Sequence, residues 1–211
     1  MPARRSRPYS PVQRHKTVAA GRERIVAAAR ELLEADDAEA FSVDAVARRA
    51  KVARMTVYNQ FESKAGLLEA LFDSLAAESF ANMSSVFTLR DPLAALDAFV
   101  AVFGRFWSGD RRAHSRLAAA AREDPELAGA ISARNERRRG GLTVLVKRLG
   151  DTIHPVVPRT ELVNVLFVLT SFETFHALAG AGRTPEEIIP LVRKLVHGVL
   201  GVALSPAPRE R

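Results

Sequence analysis

Apolar residues recur at spacings of three and four along almost the whole chain, and period-two alternation is nearly absent. The pattern predicts helices and no sheet. The first helix is expected from Val18 to Ala35, with Ile25, Ala28, Ala29, Leu32 and Leu33 as its buried stripe and Asp36-Asp37 as its stop. Arg22, Glu23, Arg24, Arg30 and Glu31 lie off that stripe. Ser42 is placed to cap a short helix over Val43 to Ala50, because its hydroxyl can accept from a backbone N–H left unpaired in the first turn. A second short helix spans Arg54 to Phe61, and Ser63 caps a longer one from Lys64 to about Ser85.

Later boundaries are written in caps and breakers. Asp91-Pro92 and Asp124-Pro125 each combine an N-cap with a proline whose missing N–H costs nothing at the first helical position. They open helices to Trp107 and to about Leu149, the second weakened near Gly140-Gly141. Between them, Gly109 and Asp110 precede a helix from Arg111 to Glu123. Gly150 to Pro158 reads as a loop, followed by a helix from Arg159 to Ala179 that Gly180 and Gly182 stop. Thr184 to Glu187 is a capping box opening the last helix, to about Val202, with Pro190 expected to make its first turns irregular. The fold class is therefore all-α with about nine helices and no repeat. A basic arm over 1–17, a helix-turn-helix domain over 18–65, a helical ligand and dimerisation domain over 66–204 and a tail from Ser205 are the expected divisions.

Two short helices joined only by Lys51, Val52 and Ala53 must cross steeply, as in a helix-turn-helix. Val46, Ala47, Ala50, Val52, Val57 and Phe61 are the positions that hold the crossing, which leaves Arg54, Met55, Thr56, Tyr58, Asn59 and Gln60 at or near the outer face. A helix in a DNA major groove needs such a mixture of donors, acceptors and methyl-bearing groups at base edges, with hydroxyls and cations at phosphates. The same pattern also suits a plain three-helix packing unit with a polar surface.

The segments Ala47 to Ala53 (A-R-R-A-K-V-A) and Thr56 to Leu68 (T-V-Y-N-Q-F-E-S-K-A-G-L-L) resemble the TetR family of transcriptional regulators over roughly Val18 to Leu71. The resemblance implies a homodimer, one recognition helix per subunit in successive major grooves of operator DNA, and a C-terminal pocket whose small-molecule effector releases the DNA. By position, Arg54, Met55, Thr56 and Asn59 would face base edges. Tyr58, Lys64 and the helix starts at Ser42 and Ser63 would hold phosphates. Two positions depart from the family pattern, which has glycine in the turn and serine capping the recognition helix; here they are Lys51 and Ala53. Lys51 is then a candidate phosphate contact that offsets a less favourable turn.

Charge sharpens this picture. The net charge is +7, and Arg4, Arg5, Arg7, Arg14 and Lys16 precede residue 18 with no acidic residue among them. A basic, Pro- and Ser-containing arm suits a polyanion, with a solubilising tail as the lesser alternative. Cysteine is absent, which excludes disulfides and thiolate metal sites. No apolar run approaches a membrane span and no apolar segment follows the basic start, so a cytoplasmic protein without a membrane partner is expected. His15, His114, His154, His176 and His197 show no paired metal spacing, and neither a metal nor a cofactor is expected.

In the C-terminal half, Phe99, Phe103, Phe106 and Trp107 share one helical face, and Phe172, Phe175 and His176 another, with Glu173 beside them. With Asn164 they are the candidate lining of a mainly apolar effector pocket, or else ordinary core. Arg134, Arg137, Arg138 and Arg139 read as a solvated face. Leu162, Val165, Leu166 and Leu169, then Ile188, Leu191, Leu195 and Val199, put apolar residues on more than one face of the last two helices, which calls for a second subunit. No phosphate loop, nucleophile elbow or zinc helix favours an enzyme. A helical interaction module without operator binding is the other alternative.

Overall fold

Local signals decide most of the element boundaries. The structure, a computed structural model, describes residues 11–35, 41–180 and 182–202. Among them are eleven α-helices and no strand: α1 (Pro11–Glu34), α2 (Val43–Ala50), α3 (Arg54–Phe61), α4 (Lys64–Phe80), α5 (Met83–Thr88), α6 (Pro92–Gly109), α7 (Arg111–Ala120), α8 (Pro125–Leu149), α9 (Arg159–Leu169), α10 (Phe172–Ala179) and α11 (Pro185–Leu200). The caps act as expected. Ser42 Oγ accepts from Ala45 N at 3.1 Å and Ser63 Oγ from Gly66 N at 3.0 Å. Asp91 Oδ1 accepts from Leu93 N, Asp124 Oδ1 from Glu126 N and Leu127 N, and the Thr184 N–H donates to Glu187 at 2.8 Å.

Three expectations need correction. The helix count is eleven rather than nine, because two long helices are interrupted. The helix from Lys64 ends at Phe80, and Ser85 and Thr88 hydroxyls donate to the carbonyls of Asn82 and Ser85 in the short α5 that follows. Such side-chain bonds offer the backbone an alternative to continuing the helix. The helix expected over Arg159 to Ala179 breaks at Thr170-Ser171 with a 52° bend. There Thr170 Oγ1 donates to Leu166 O at 2.8 Å, and Thr174 Oγ1 donates to Val168 O at 2.6 Å. Ser171 starts α10 by accepting from Thr174 N. At the N-terminus α1 begins at Pro11, seven residues before Val18, with proline again tolerated where no N–H is needed. The last helix, α11, is the single element that its capping box indicates, with Pro190 inside it. The stop at Asp36-Asp37, the arm before Pro11 and the tail from Ser205 lie outside the described residues.

The chain divides after Ser74 into two compact units, α4 beginning in one and ending in the other. In the first, α1 buries Ile25, Ala28, Ala29, Leu32 and Leu33, the stripe read from its periodicity, against Val46, Ala47 and Ala50 of α2. Val57 and Phe61 of α3 and Leu67, Leu68 and Leu71 of α4 complete that core. The second unit is arranged around α6, which packs against α5, α8, α10 and α11 and buries Leu96, Phe99, Val100, Phe103 and Phe106. Each such aromatic or aliphatic side chain contributes about 1.5–3 kcal/mol by leaving water. Gly141 does not interrupt α8; a Cβ there would stand 2.9 Å from Phe99 Cε2, so the missing side chain lets that ring pack closely.

No single helix among the described residues is long and apolar enough to cross a membrane. The bent pair α9–α10 reaches the length only when counted together, and it buries Leu162, Leu166 and Phe175 within the unit.

Candidate nucleic-acid interface

The geometry of the first unit starts from the turn between α2 and α3. Lys51 holds φ 54° and ψ 46°, the left-handed conformation in which glycine is the unstrained residue. In that conformation the N–H of Val52 reaches back to Ala47 O at 3.0 Å and that of Lys51 to Arg48 O, so α2 ends with its last carbonyls satisfied. The chain then turns into α3 through Ala53, which makes no side-chain cap. The turn therefore has the backbone a glycine and a serine would favour, built with neither residue.

With Val57 and Phe61 turned into the core, α3 exposes Arg54, Met55 and Asn59, while Thr56, Tyr58 and Gln60 are half-buried. Met55 is 66% exposed, too much for the packing role a methionine usually takes. Arg54 is already engaged. Its Nη1 donates to Asp44 Oδ2 at 3.0 Å and its Nη2 to the Tyr58 hydroxyl at 3.3 Å. Tyr58 and the Asp44 carboxylate together raise the guanidinium above its ordinary pKa. Ser42 lies at the start of α2, Lys51 in the turn, and Lys64 at the start of α4. All eight sequence-predicted DNA residues thus belong to this one unit.

Two residues that pattern reading passed over also shape the face. Asp44 fixes the position of Arg54 from the first turn of α2. Arg22 of α1 donates through Nη1 to Gln60 O at 2.6 Å and lies 4.2 Å from the Phe61 ring centre, tying the end of α3 to α1. A cation there satisfies a C-terminal carbonyl and complements the helix dipole. Nothing in local sequence marks either residue, because each acts across a gap that only the fold closes.

Residues 25–71 match the family described as bacterial regulatory proteins, tetR family. That segment, from α1 into the first turns of α4, carries the likeness to the family. Solved structures extend the likeness in fold. A transcriptional regulator from Rhodococcus sp. Rha1 is 21% identical with a TM-score of 0.62, over 88% of this chain and 99% of the other. PfmR from Thermus thermophilus, a TetR family regulator, is 17% identical with a TM-score of 0.61, over 86% of this chain and 100% of the other. A TetR transcription regulator from Haloarcula marismortui is 17% identical with a TM-score of 0.63, over 86% and 97%. No curated protein matches the chain. The likeness to these solved structures is one of fold, and the family match lies in the segment that holds the helix-turn-helix.

In the second unit the sequence-predicted ligand residues fall into two groups. Phe99, Phe103, Phe106 and Phe175 are buried, and Trp107 and Phe172 are half-buried. Rings from Phe80 to Phe172 form a connected cluster, including Phe80–Phe103 at 5.0 Å, Phe99–Phe103 at 4.8 Å and Phe106–Trp107 at 4.6 Å. Asn164, Glu173 and His176 are exposed, with Asn164 taken up by Arg139 and Glu161. His176 nevertheless packs on Phe172 of the cluster at 5.1 Å, and two groups that pattern reading assigned elsewhere lie closer in. His114 of α7 is 5% exposed, touches the rings of Phe106, Trp107 and Phe172, and has Nε2 3.1 Å from Phe106 O. Burial pushes its pKa down to about 4, so it is neutral at pH 7 and donates to that carbonyl. Arg138, expected on a solvated face, is buried with 4% exposure.

Proposed function

We propose that the chain is a homodimeric repressor that binds a palindromic operator through Ser42, Lys51, Arg54, Met55, Thr56, Tyr58, Asn59 and Lys64, and that a small, mainly apolar effector bound in the second unit releases it. The observation that carries the reading is the exposed face of α3: a cation, a thioether and an amide on one side of a helix held from behind by Val57 and Phe61. Such a helix can lay donors, acceptors and an apolar contact against base edges. Arg54 and Asn59 read bases, the first oriented by Asp44, while Tyr58, Lys51, Lys64 and the backbone N–H groups at the helix starts hold phosphates. Val168 and Leu195 remain exposed on α9 and α11 at 60% and 42% and belong to the subunit interface. Leu162, Leu166 and Ile188, by contrast, are buried within one chain. The aromatic cluster supplies the effector site.

The reading is tested by selecting bound sequences from a random DNA pool and measuring affinity for the winner across a salt series. The expected result is an inverted repeat with a log–log salt slope showing release of several counterions. Arg54→Ala should alter base preference at one position in each half-site, whereas Lys64→Ala should weaken every sequence alike and lower the slope by about one unit. A pool that yields no enriched sequence overturns operator binding.

A further inference from the structure

Taking a guanidinium out of water is costly unless a carboxylate or a complete set of acceptors replaces its hydration. Arg138 of α8 has no hydrogen-bonded carboxylate and an incomplete set of acceptors. Its Nη1 donates to Phe167 O at 2.6 Å and to Thr170 Oγ1 at 2.9 Å, and its Nη2 to Asn135 Oδ1 at 3.2 Å. Its Nε is buried with no partner. Burial lowers the guanidinium pKa to about 10; the Glu173 carboxylate opposes that shift by its charge without forming a hydrogen-bonded pair, and the neighbouring Arg139 adds to it. The edge formed by Nε and Nη2 is the one on which a guanidinium grips a carboxylate through two parallel N–H bonds. On Arg138 that edge carries a single long bond. The Phe167 ring centre lies 3.9 Å from the guanidinium carbon and that of Phe103 5.8 Å, so the cation borders the aromatic cluster rather than solvent.

We propose that Arg138 anchors the carboxylate of the effector, which is therefore an apolar or aromatic monocarboxylic acid whose body lies among Phe103, Phe106, Trp107 and Phe172. The inference rests on the reading above that the second unit holds an effector, and it names the chemical class. The one unfilled two-donor edge matches one carboxylate, and the nearby Arg139, 4.1 Å from the same Phe167 ring, balances the charge that Glu173 sets against Arg138. The neutral His114 at the other side of the cluster adds no second charge, and a phosphate dianion would need more. Because the rings touch one another, the acid must shift them to enter, and the sole tryptophan reports the shift. Trp107 Nε1 donates to Thr170 O at 2.9 Å, and Thr170 also receives the Arg138 bond, so the anchor and the reporter share one residue. A purely structural Arg138, serving only the last carbonyls of α9, would leave acids and their neutral analogues equal.

The test titrates the full chain with 4-phenylbutyrate and with decanoate, each beside its primary amide, following Trp107 emission and thermal unfolding. The acids should give a saturable response and the amides one at least about tenfold weaker, the scale of a charge-assisted pair. Arg138→Gln should reduce that discrimination to less than about twofold at unchanged helical content. If Arg138→Gln does not fold, Arg138→Lys keeps the charge without the two-donor edge and should lose most of the discrimination. Equal binding of acids and amides to the wild-type chain, no saturable response to either acid, or discrimination retained in the folded variants overturns the proposal. Release of labelled operator is measured separately. Acids that bind without releasing DNA leave the anchor standing and overturn only the regulatory role, whereas failure of operator selection leaves this binding test untouched.

Discussion

Two residues of the helix-turn-helix hold backbone conformations that disfavour a side chain: Lys51 at φ 54° and Glu62 at φ 65°. A left-handed residue other than glycine costs about 1–2 kcal/mol, and an uncapped helix start about 0.5–2 kcal/mol. Lys51→Gly with Ala53→Ser should therefore raise stability by about 1–2 kcal/mol in chemical denaturation, less whatever glycine adds to the entropy of the unfolded chain. Operator affinity should fall at the same time, because Lys51 is assigned to a phosphate. A less stable double variant would mean that the Lys51 side chain supports the turn. His114 makes a different statement. Its folded pKa of about 4 lies below the ordinary value of 6.5, so between those values the unfolded chain binds the proton and the folded chain does not. Its contribution is complete above about pH 6.5 and is lost as pH falls toward 4, on the order of 3 kcal/mol over the window. Melting of the wild-type chain should drop more steeply from pH 7 to pH 5 than that of a folded His114→Phe variant; parallel curves would assign the acid sensitivity elsewhere.

Elements were legible where one local signal decided them and illegible where packing did. Helices α2 and α3 end at the residues their apolar spacing and caps indicate, and Asp91, Asp124 and Thr184 open the helices expected of them. The break between α9 and α10 was hidden because Thr170 and Ser171 sit inside an otherwise unbroken apolar period, and only the hydroxyl bonds reveal that they end one helix and start another. The family motif marked the exposed face of α3, yet Asp44 and Arg22 escaped because their partners are ten and thirty-eight residues away. Arg138 was misread because a run of arginines looks solvated, whereas α9 covers one of them. Glycines divide in the same way. Gly104 lies where α10 and α11 close on α6, and a Cβ there would stand 2.5 Å from Ile189 Cγ1 and 2.8 Å from Phe175 Cε1. Gly140 on α8 has nothing within 4 Å. Gly104→Ala should cost about 1–3 kcal/mol by overpacking, and Gly140→Ala should gain about 0.5–1 kcal/mol from helix propensity. Urea midpoints moving in opposite directions would bear out the assignment; a neutral Gly104→Ala would show that α6 and its neighbours yield.

For the whole molecule the decisive quantity is how many chains act together. On α11, Leu191, Leu195 and Val199 fall at intervals of four, and on α9, which packs against α11, Val165, Val168 and Leu169 fall at intervals of three and four. Leu195 and Val168 are exposed and the other four half-buried, so two neighbouring apolar stripes remain uncovered within one chain. Isolated exposed apolar residues are ordinary, but adjoining stripes on contacting helices are the surface a second copy would cover. Two copies would carry two α3 helices to one operator, and binding the second half-site would then be intramolecular. Effective concentration gives such a pair an advantage of about 10²–10⁴ over a single chain. Val168→Glu with Leu195→Glu places four like charges across the proposed interface without touching the buried Leu162, Leu166 or Ile188. Sedimentation should show monomers with unchanged helical content, and affinity for the full operator should fall by about 10²–10⁴ while affinity for an isolated half-site stays the same. A variant that remains dimeric would move the interface elsewhere. Monomers that bind the full operator as tightly as wild type would mean that one α3 helix suffices and that the operator need not be palindromic.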